Sequence, residues 1–209
     1  MPLTKISWDN IVLVLSAGAY IPLAIGGWQH PEEINLASYS IWLILATMLM
    51  ISSRAQGYDG WKLLAGFLTG NFSMLIFGLC LRGTTFNLGD AEKIVLYGLI
   101  TTIVIWVIWS TLKKKGNPRI LFLGGIITDV MSYYPQIKQY LLPHDPPSWW
   151  LLAGWYMWIM AATITLIKVE KLVMKIRKQP EHRMKILEES AYTFENLFFM
   201  IITVVIMLC

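Results

Sequence analysis

Three observations predict that this chain folds as an all-α integral membrane protein with seven transmembrane helices. Hydrophobic residues make up 56% of the 209 positions and charged residues only 14%, too apolar a balance for a water-solvated surface of ordinary size. The charges cluster in short segments between apolar runs, each about long enough to cross a hydrocarbon core of about 30 Å. These runs lack the period-2 alternation of barrel strands, and a backbone in lipid must satisfy its own amides, so each reads as a helix.

The runs are 11–28, 36–51, 61–81, 94–112, 121–142, 149–167 and 192–209. The first is flanked by Trp8 and Asp9 and shows no small-residue cleavage pattern, so it reads as a retained helix. Trp28, Trp61, Trp149 and Trp150 sit at run ends, where an amphipathic ring is favoured at headgroup level. Cys80 and Cys209 are too few for a disulfide framework and read as buried packing residues. Between the last two runs, Val169, Leu172, Val173 and Ile176 recur at helical spacing among Lys171, Lys175, Arg177 and Lys178. This segment, 168–190, reads as a helix lying at the inner membrane surface and ended or kinked at Pro180; a solvated extension of the sixth run is the alternative.

Successive loops alternate sides, and of the 17 Lys and Arg residues all but Arg82, Lys93 and Lys138 fall on the side of the N-terminus. The positive-inside rule then places the N-terminus in the cytoplasm and Cys209 outside, in what is expected to be a bacterial inner membrane. The net charge of +4 is read as this topology signal, and nothing resembles a nucleic-acid-binding module.

An internal repeat organises the runs. Tyr20-Ile21-Pro22 aligns with Tyr133-Tyr134-Pro135, and Trp42 and Trp155 each lie 20 residues beyond their proline. Each proline is also followed by a His and Pro connection, His30-Pro31 and His144-Asp145-Pro146-Pro147. Asn71 in the third run matches Asn196 in the seventh, with the extra residues of the second half falling in the basic segment. The repeat units are therefore 11–82 and 121–209, with 94–112 left as a linker helix. An odd linker keeps both three-helix units in one orientation, related by an axis along the membrane normal.

Tyr133-Tyr134-Pro135-Gln136-Ile137 resembles the Pro-Gln signature of the PQ-loop transporters, the superfamily that includes the SWEET sugar carriers, and the 3+1+3 arrangement is similar too. The stretch from Ile34 through Ser38 to Trp42 resembles the Ser-containing turn and Trp-bearing helix that follow the family's first loop. The resemblance implies that Asn71 and Asn196 face the substrate and that Pro22 and Pro135, the latter followed by Gln136, act as hinges. The chain departs from the family in three places: Pro22 is followed by Leu23, the basic segment before the last helix is long, and the N-terminus falls inside rather than outside.

Asp129 is the acidic residue well inside an apolar run, costly enough there to be a functional candidate by default. On a helix, Asp129, Ser132, Tyr133 and Gln136 share one face. Asp129 suits either proton coupling or the binding of a cationic solute; interhelical packing is the structural alternative. Asn71 and Asn196 suit a polar pocket, with hydrogen bonding between helices as the structural alternative, and Trp42, Trp155, Tyr20, Tyr133 and Ser132 complete the candidate substrate-binding set. Trp158 offers a further flat surface, and Glu195 reads as a carboxylate reaching the cytoplasmic interface. His30, His144 and His182 lack partners at metal-ligand spacing, and no Ser/His/Asp set or phosphate-cradling loop appears. Gly26-Gly27 and Gly124-Gly125 read as close-packing or turn residues.

The expected function is transport of a small polar solute, a sugar or amino acid, by alternating access with proton coupling as an option, and not enzymatic catalysis. A receptor or regulatory protein binding a peptide, lipid or protein partner is the rival. The expected partners are the solute, the bilayer, anionic lipid between Lys168 and Lys185 and, in a homo-oligomer, a second copy of the chain; no metal or cofactor is expected. A periplasm-dependent reporter fused after Cys209 is expected to be active, and activity of a cytoplasm-dependent reporter there would contradict the charge count.

Overall fold

The computed structural model describes residues 7–31, 34–58, 61–113, 116–141, 148–176 and 183–209. Eight helices account for nearly all of them: α1 (Trp8–Gly18), α2 (Tyr20–Gln29), α3 (Leu36–Ala55), α4 (Trp61–Cys80), α5 (Asp90–Lys113), α6 (Pro118–Leu141), α7 (Trp149–Ile176) and α8 (Arg183–Leu208). Six stretches, Trp8–Gln29, Leu36–Ala55, Trp61–Cys80, Glu92–Lys113, Trp149–Lys168 and Ser190–Leu208, are long and apolar enough to cross a membrane. The chain is therefore an all-α integral membrane protein. The remaining long helix, α6, has 24 residues, about 36 Å at 1.5 Å per residue.

The first of these stretches is broken. Pro22 has no N–H to bond the carbonyl of Gly18 and its ring crowds that residue, so α1 stops at Gly18 and α2 resumes beyond Ala19. By contrast, α6 runs unbroken past Pro135. The side chains of Pro135 and Gln136 lie outside the described residues, as does the second His and Pro connection, 142–147.

Helix ends follow the local chemistry. The Asn35 side chain caps α3 by accepting from the Ala37 amide at 3.1 Å, and its Nδ2 donates to Asn87 O at 2.9 Å. Glu92 at the start of α5 accepts from both Asn35 Nδ2 (3.1 Å) and Ser38 Oγ (2.9 Å), which ties α3 to α5. Beyond α3, Gly57 takes φ 67°, the left-handed backbone that lets a helix turn out of its last turn.

Helix order within the two ends of the chain is alike. α4 packs against both α1 and α3, and α8 packs against both α6 and α7. Across the molecule α3 meets α6, while α1 and α2 meet α7; α5 packs on α6 and touches α3. At the end of the bundle where α1 begins, Asp9 pairs with Lys62 on α4 and Lys168 on α7. At the same end Glu188 pairs with Arg119 and accepts from the Tyr58 hydroxyl.

Without a hydrophobic drive between helices in lipid, close approach depends on small residues. Gly66 and Gly70 on α4 receive Ser16 and Tyr20: a Cβ at Gly66 would lie 1.7 Å from Ser16 Oγ and 2.6 Å from its Cβ, and one at Gly70 would lie 1.8 Å from the Tyr20 ring. Gly124 and Gly125 likewise seat Thr102 and Leu49.

Two expectations are corrected. Cys80 and Cys209 are exposed: Cys80 is the last residue of α4, and Cys209 follows the end of α8. The basic segment forms no separate surface helix over its described part: α7 continues unbroken to Ile176, extending the sixth span, and α8 already begins at Arg183. The side chains of 169–187, and with them most of the expected anionic-lipid site, lie outside the described residues.

Replacing Gly66 by Ala is expected to lower thermal stability in detergent by about 1–3 kcal/mol, the usual cost of overpacking. Gly26→Ala, whose Cβ would come no closer than 3.6 Å to a neighbour, is expected to be near neutral in the same assay.

Candidate functional site

Helical spacing on six helices brings one face of each to a common interior. α6 contributes Asp129, Ser132 and Tyr133; α8 contributes Tyr192, Asn196 and Met200; α7 contributes Trp155 and Trp158. From the other side α3 supplies Trp42, Leu45, Ala46 and Leu49, α4 supplies Leu64, Phe67 and Asn71, and α2 supplies Tyr20 just past the break. Together they line a cavity of about 480 Å³ including its open mouth.

Polar groups concentrate on one wall. Asn196 is 1% exposed, and its Nδ2 stands 3.0 Å from Asp129 Oδ2, 3.2 Å from Glu195 Oε2 and 3.3 Å from Tyr192 O. Its carbonyl oxygen accepts from the buried Tyr133 hydroxyl at 3.0 Å. Ser132 Oγ donates to Asp129 O at 2.6 Å and lies 3.4 Å from its Oδ1. The Asn71 amide oxygen, by contrast, is buried and accepts no hydrogen bond from the described residues.

Aromatic rings close the cavity toward α7. The Trp158 ring meets Tyr20 edge to face at 5.0 Å and Trp155 edge to face at 5.1 Å, and Phe67 at 6.0 Å. Its Nε1 donates to Ser16 O at 3.1 Å, just before the break at Ala19, which fixes the indole's orientation.

All seven residues named from sequence as substrate-binding, Asn71, Asn196, Trp42, Trp155, Tyr20, Tyr133 and Ser132, line this one cavity, and so does Asp129. Pro22 lies outside it, at the helix break. Sequence reasoning missed Tyr192 and Phe67, although each stands four residues before its asparagine, one helical turn away on the same face. It also left Leu45 and Trp158 out of the site, although they stand at equal distances beyond Pro22 and Pro135.

Glu195 is the correction in this region. It was expected to reach the cytoplasmic interface, but α8 begins well before it, and its carboxyl turns inward to Asn196 with Oε1 buried and unpartnered. Among the described residues no three His, Cys, Asp or Glu side chains converge as a metal site would require.

No protein-family model, curated protein or solved structure matches the chain.

The Tyr133 hydroxyl is the donor that satisfies Asn196 Oδ1. Tyr133→Phe is expected to lower thermal stability by about 0.5–2 kcal/mol, the usual range for an interhelical hydrogen bond in a membrane protein, while leaving the helical circular dichroism intact.

Proposed function

We propose that the chain is a carrier for a small polar solute, which it binds near the middle of the membrane between two three-helix units that rock around the site. The units are α1–α4 and α6–α8, in a 3+1+3 order with α5 as the linker. The PQ-loop and SWEET-like resemblance supplies the analogy. One observation carries the reading: matched positions of the two units converge on a single cavity, namely Tyr20 with Tyr133, Trp42 with Trp155, Leu45 with Trp158, Phe67 with Tyr192 and Asn71 with Asn196.

The helix contacts support the same reading, because they are preserved when the units are exchanged. In each unit the third span lies against the first and the second, and the second span of each unit meets the first span of the other. A cavity on the interface between two such units can be opened alternately from either end without unfolding either unit. At the end where α1 begins, Lys168 reaches Asp9 and Tyr58 reaches Glu188 across the interface. Opening there requires those contacts to part. The charge asymmetry of the loops makes that end cytoplasmic, and a bacterial inner membrane is the proposed location.

Within the cavity, Asp129 is the group able to hold a cation or carry a proton, and Asn71 and Asn196 orient the solute's polar groups. Proteoliposome uptake of labelled sugars, amino acids and amines tests the reading. The wild type is expected to take up at least one of them, and Asn196→Ala is expected to abolish that uptake. Saturable binding without flux under any imposed gradient would replace the carrier by a receptor.

A further inference from the structure

We infer that the solute is an organic ammonium ion carrying N–H donors and no carboxylate. This rests on reading the cavity as the solute site and narrows its chemistry.

The first support is the charge of the walls. Among the described residues, none of those lining the cavity is Lys, Arg or His. The ion pairs among the described residues engage Asp9, Asp90 and Glu188, so neither Asp129 nor Glu195 has a cationic partner there. Two carboxyl groups nonetheless converge on the single amide nitrogen of Asn196, at 3.0 and 3.2 Å. Acidic groups inside a bundle are expensive unless a proton or a cation compensates them, and an ammonium ion supplies that compensation to an ionised Asp129.

A second, independent support comes from the other unit. Asn71 is 2% exposed, lines the cavity and keeps an amide oxygen that accepts from none of the described residues. A buried acceptor left open is destabilising unless a ligand donates to it. An ammonium N–H satisfies this oxygen; the carbon-bound hydrogens of a quaternary ion do not.

The rings supply the third. Trp158 stands at 87° to Trp155 and 69° to Tyr20, so three contiguous rings turn in different directions at one corner. Ring faces so arranged attract a desolvated cation and pack against its alkyl part. A carboxylate on the same solute would meet no positive charge, and a neutral sugar would bring none to the two acids.

Calorimetric titration of the purified protein with four probes tests this: n-butylammonium, 1-butanol as its neutral counterpart, 4-aminobutyrate as its carboxylate-bearing counterpart, and glucose. Butylammonium is expected to bind saturably and at least tenfold tighter than the other three, and Asp129→Asn is expected to weaken it at least tenfold. Equal or tighter binding of 4-aminobutyrate, 1-butanol or glucose, or no binding of butylammonium, overturns the inference. Should Asp129→Asn fail to fold, the wild-type ranking of the probes decides alone. The two readings fail separately. A sugar that crosses proteoliposomes without competition from butylammonium sinks the ammonium inference and leaves the carrier standing. Butylammonium that binds with this ranking, in a protein that moves no solute across a vesicle, leaves the ammonium inference standing and sinks the carrier.

Discussion

In a hydrocarbon interior a side-chain amide must find protein partners for two donors and a carbonyl oxygen, and Asn196 finds them all within one turn of its own helix and one face of α6. Much of the interior follows from that requirement. Satisfying the carbonyl oxygen pins the Tyr133 hydroxyl, and the pinned ring then stacks on Phe199 at 5.4 Å and flanks Trp155 at 6.5 Å. Satisfying the nitrogen pins Asp129, whose neighbour Ser132 folds back onto the same carboxyl and its backbone carbonyl. The contact between α6 and α8 is thus set by polar geometry, and the apolar packing closes around it.

The opposite interface is set differently. α1 and α4 approach through glycine, with Gly66 and Gly70 making room for Ser16 and Tyr20. The break at Ala19 lies between those two contacts. Tyr20 can therefore enter the cavity from α2 while Ser16 stays on α1, where its carbonyl oxygen anchors Trp158 from α7. Pro22 contributes to the break by denying Gly18 its helical partner.

Much of this was legible in the sequence because lipid leaves few alternatives: apolar length fixes the helices, and their interior faces must carry whatever polarity the protein keeps. The helix containing Asp129, Ser132 and Tyr133 announced its inward face, and the spacing of Trp42, Trp155, Asn71 and Asn196 announced which faces meet. Phe67 and Leu45 stayed hidden because an apolar side chain on a membrane helix looks the same whether it meets lipid, another helix or a solute. Glu195 was misplaced for another reason. Its depth depends on where α8 begins, and the apolar pattern marks only where the helix turns hydrophobic, several residues after its polar first turns. Cys80 and Cys209 were misread because an apolar run does not reveal which of its faces looks outward.

The two units proposed above are alike in outline and unlike in charge, and the difference bears on how they would part. In the register that matches Pro22 with Pro135, Ser16 stands where the second unit has Asp129; in the register that matches the asparagines, Gly70 stands where it has Glu195. Both acids of the interior thus belong to one unit, and their common partner, Asn196, belongs to that unit as well. Separating the units at the level of the cavity breaks no charged pair, whereas a carboxylate shared between them would have had to lose its partner in a medium that cannot replace it. The charged contacts that do cross the interface, Lys168 with Asp9 and Glu188 with Tyr58, lie at the end of the bundle. There Asp9 and Lys168 keep about a third of their side-chain surface exposed, 30% and 33%, and water can take over what each loses. In the proposed carrier, motion about the cavity is opposed partly at Asp9 and Lys168, where solvent can compensate, and partly by the buried contact of Glu188 with Tyr58.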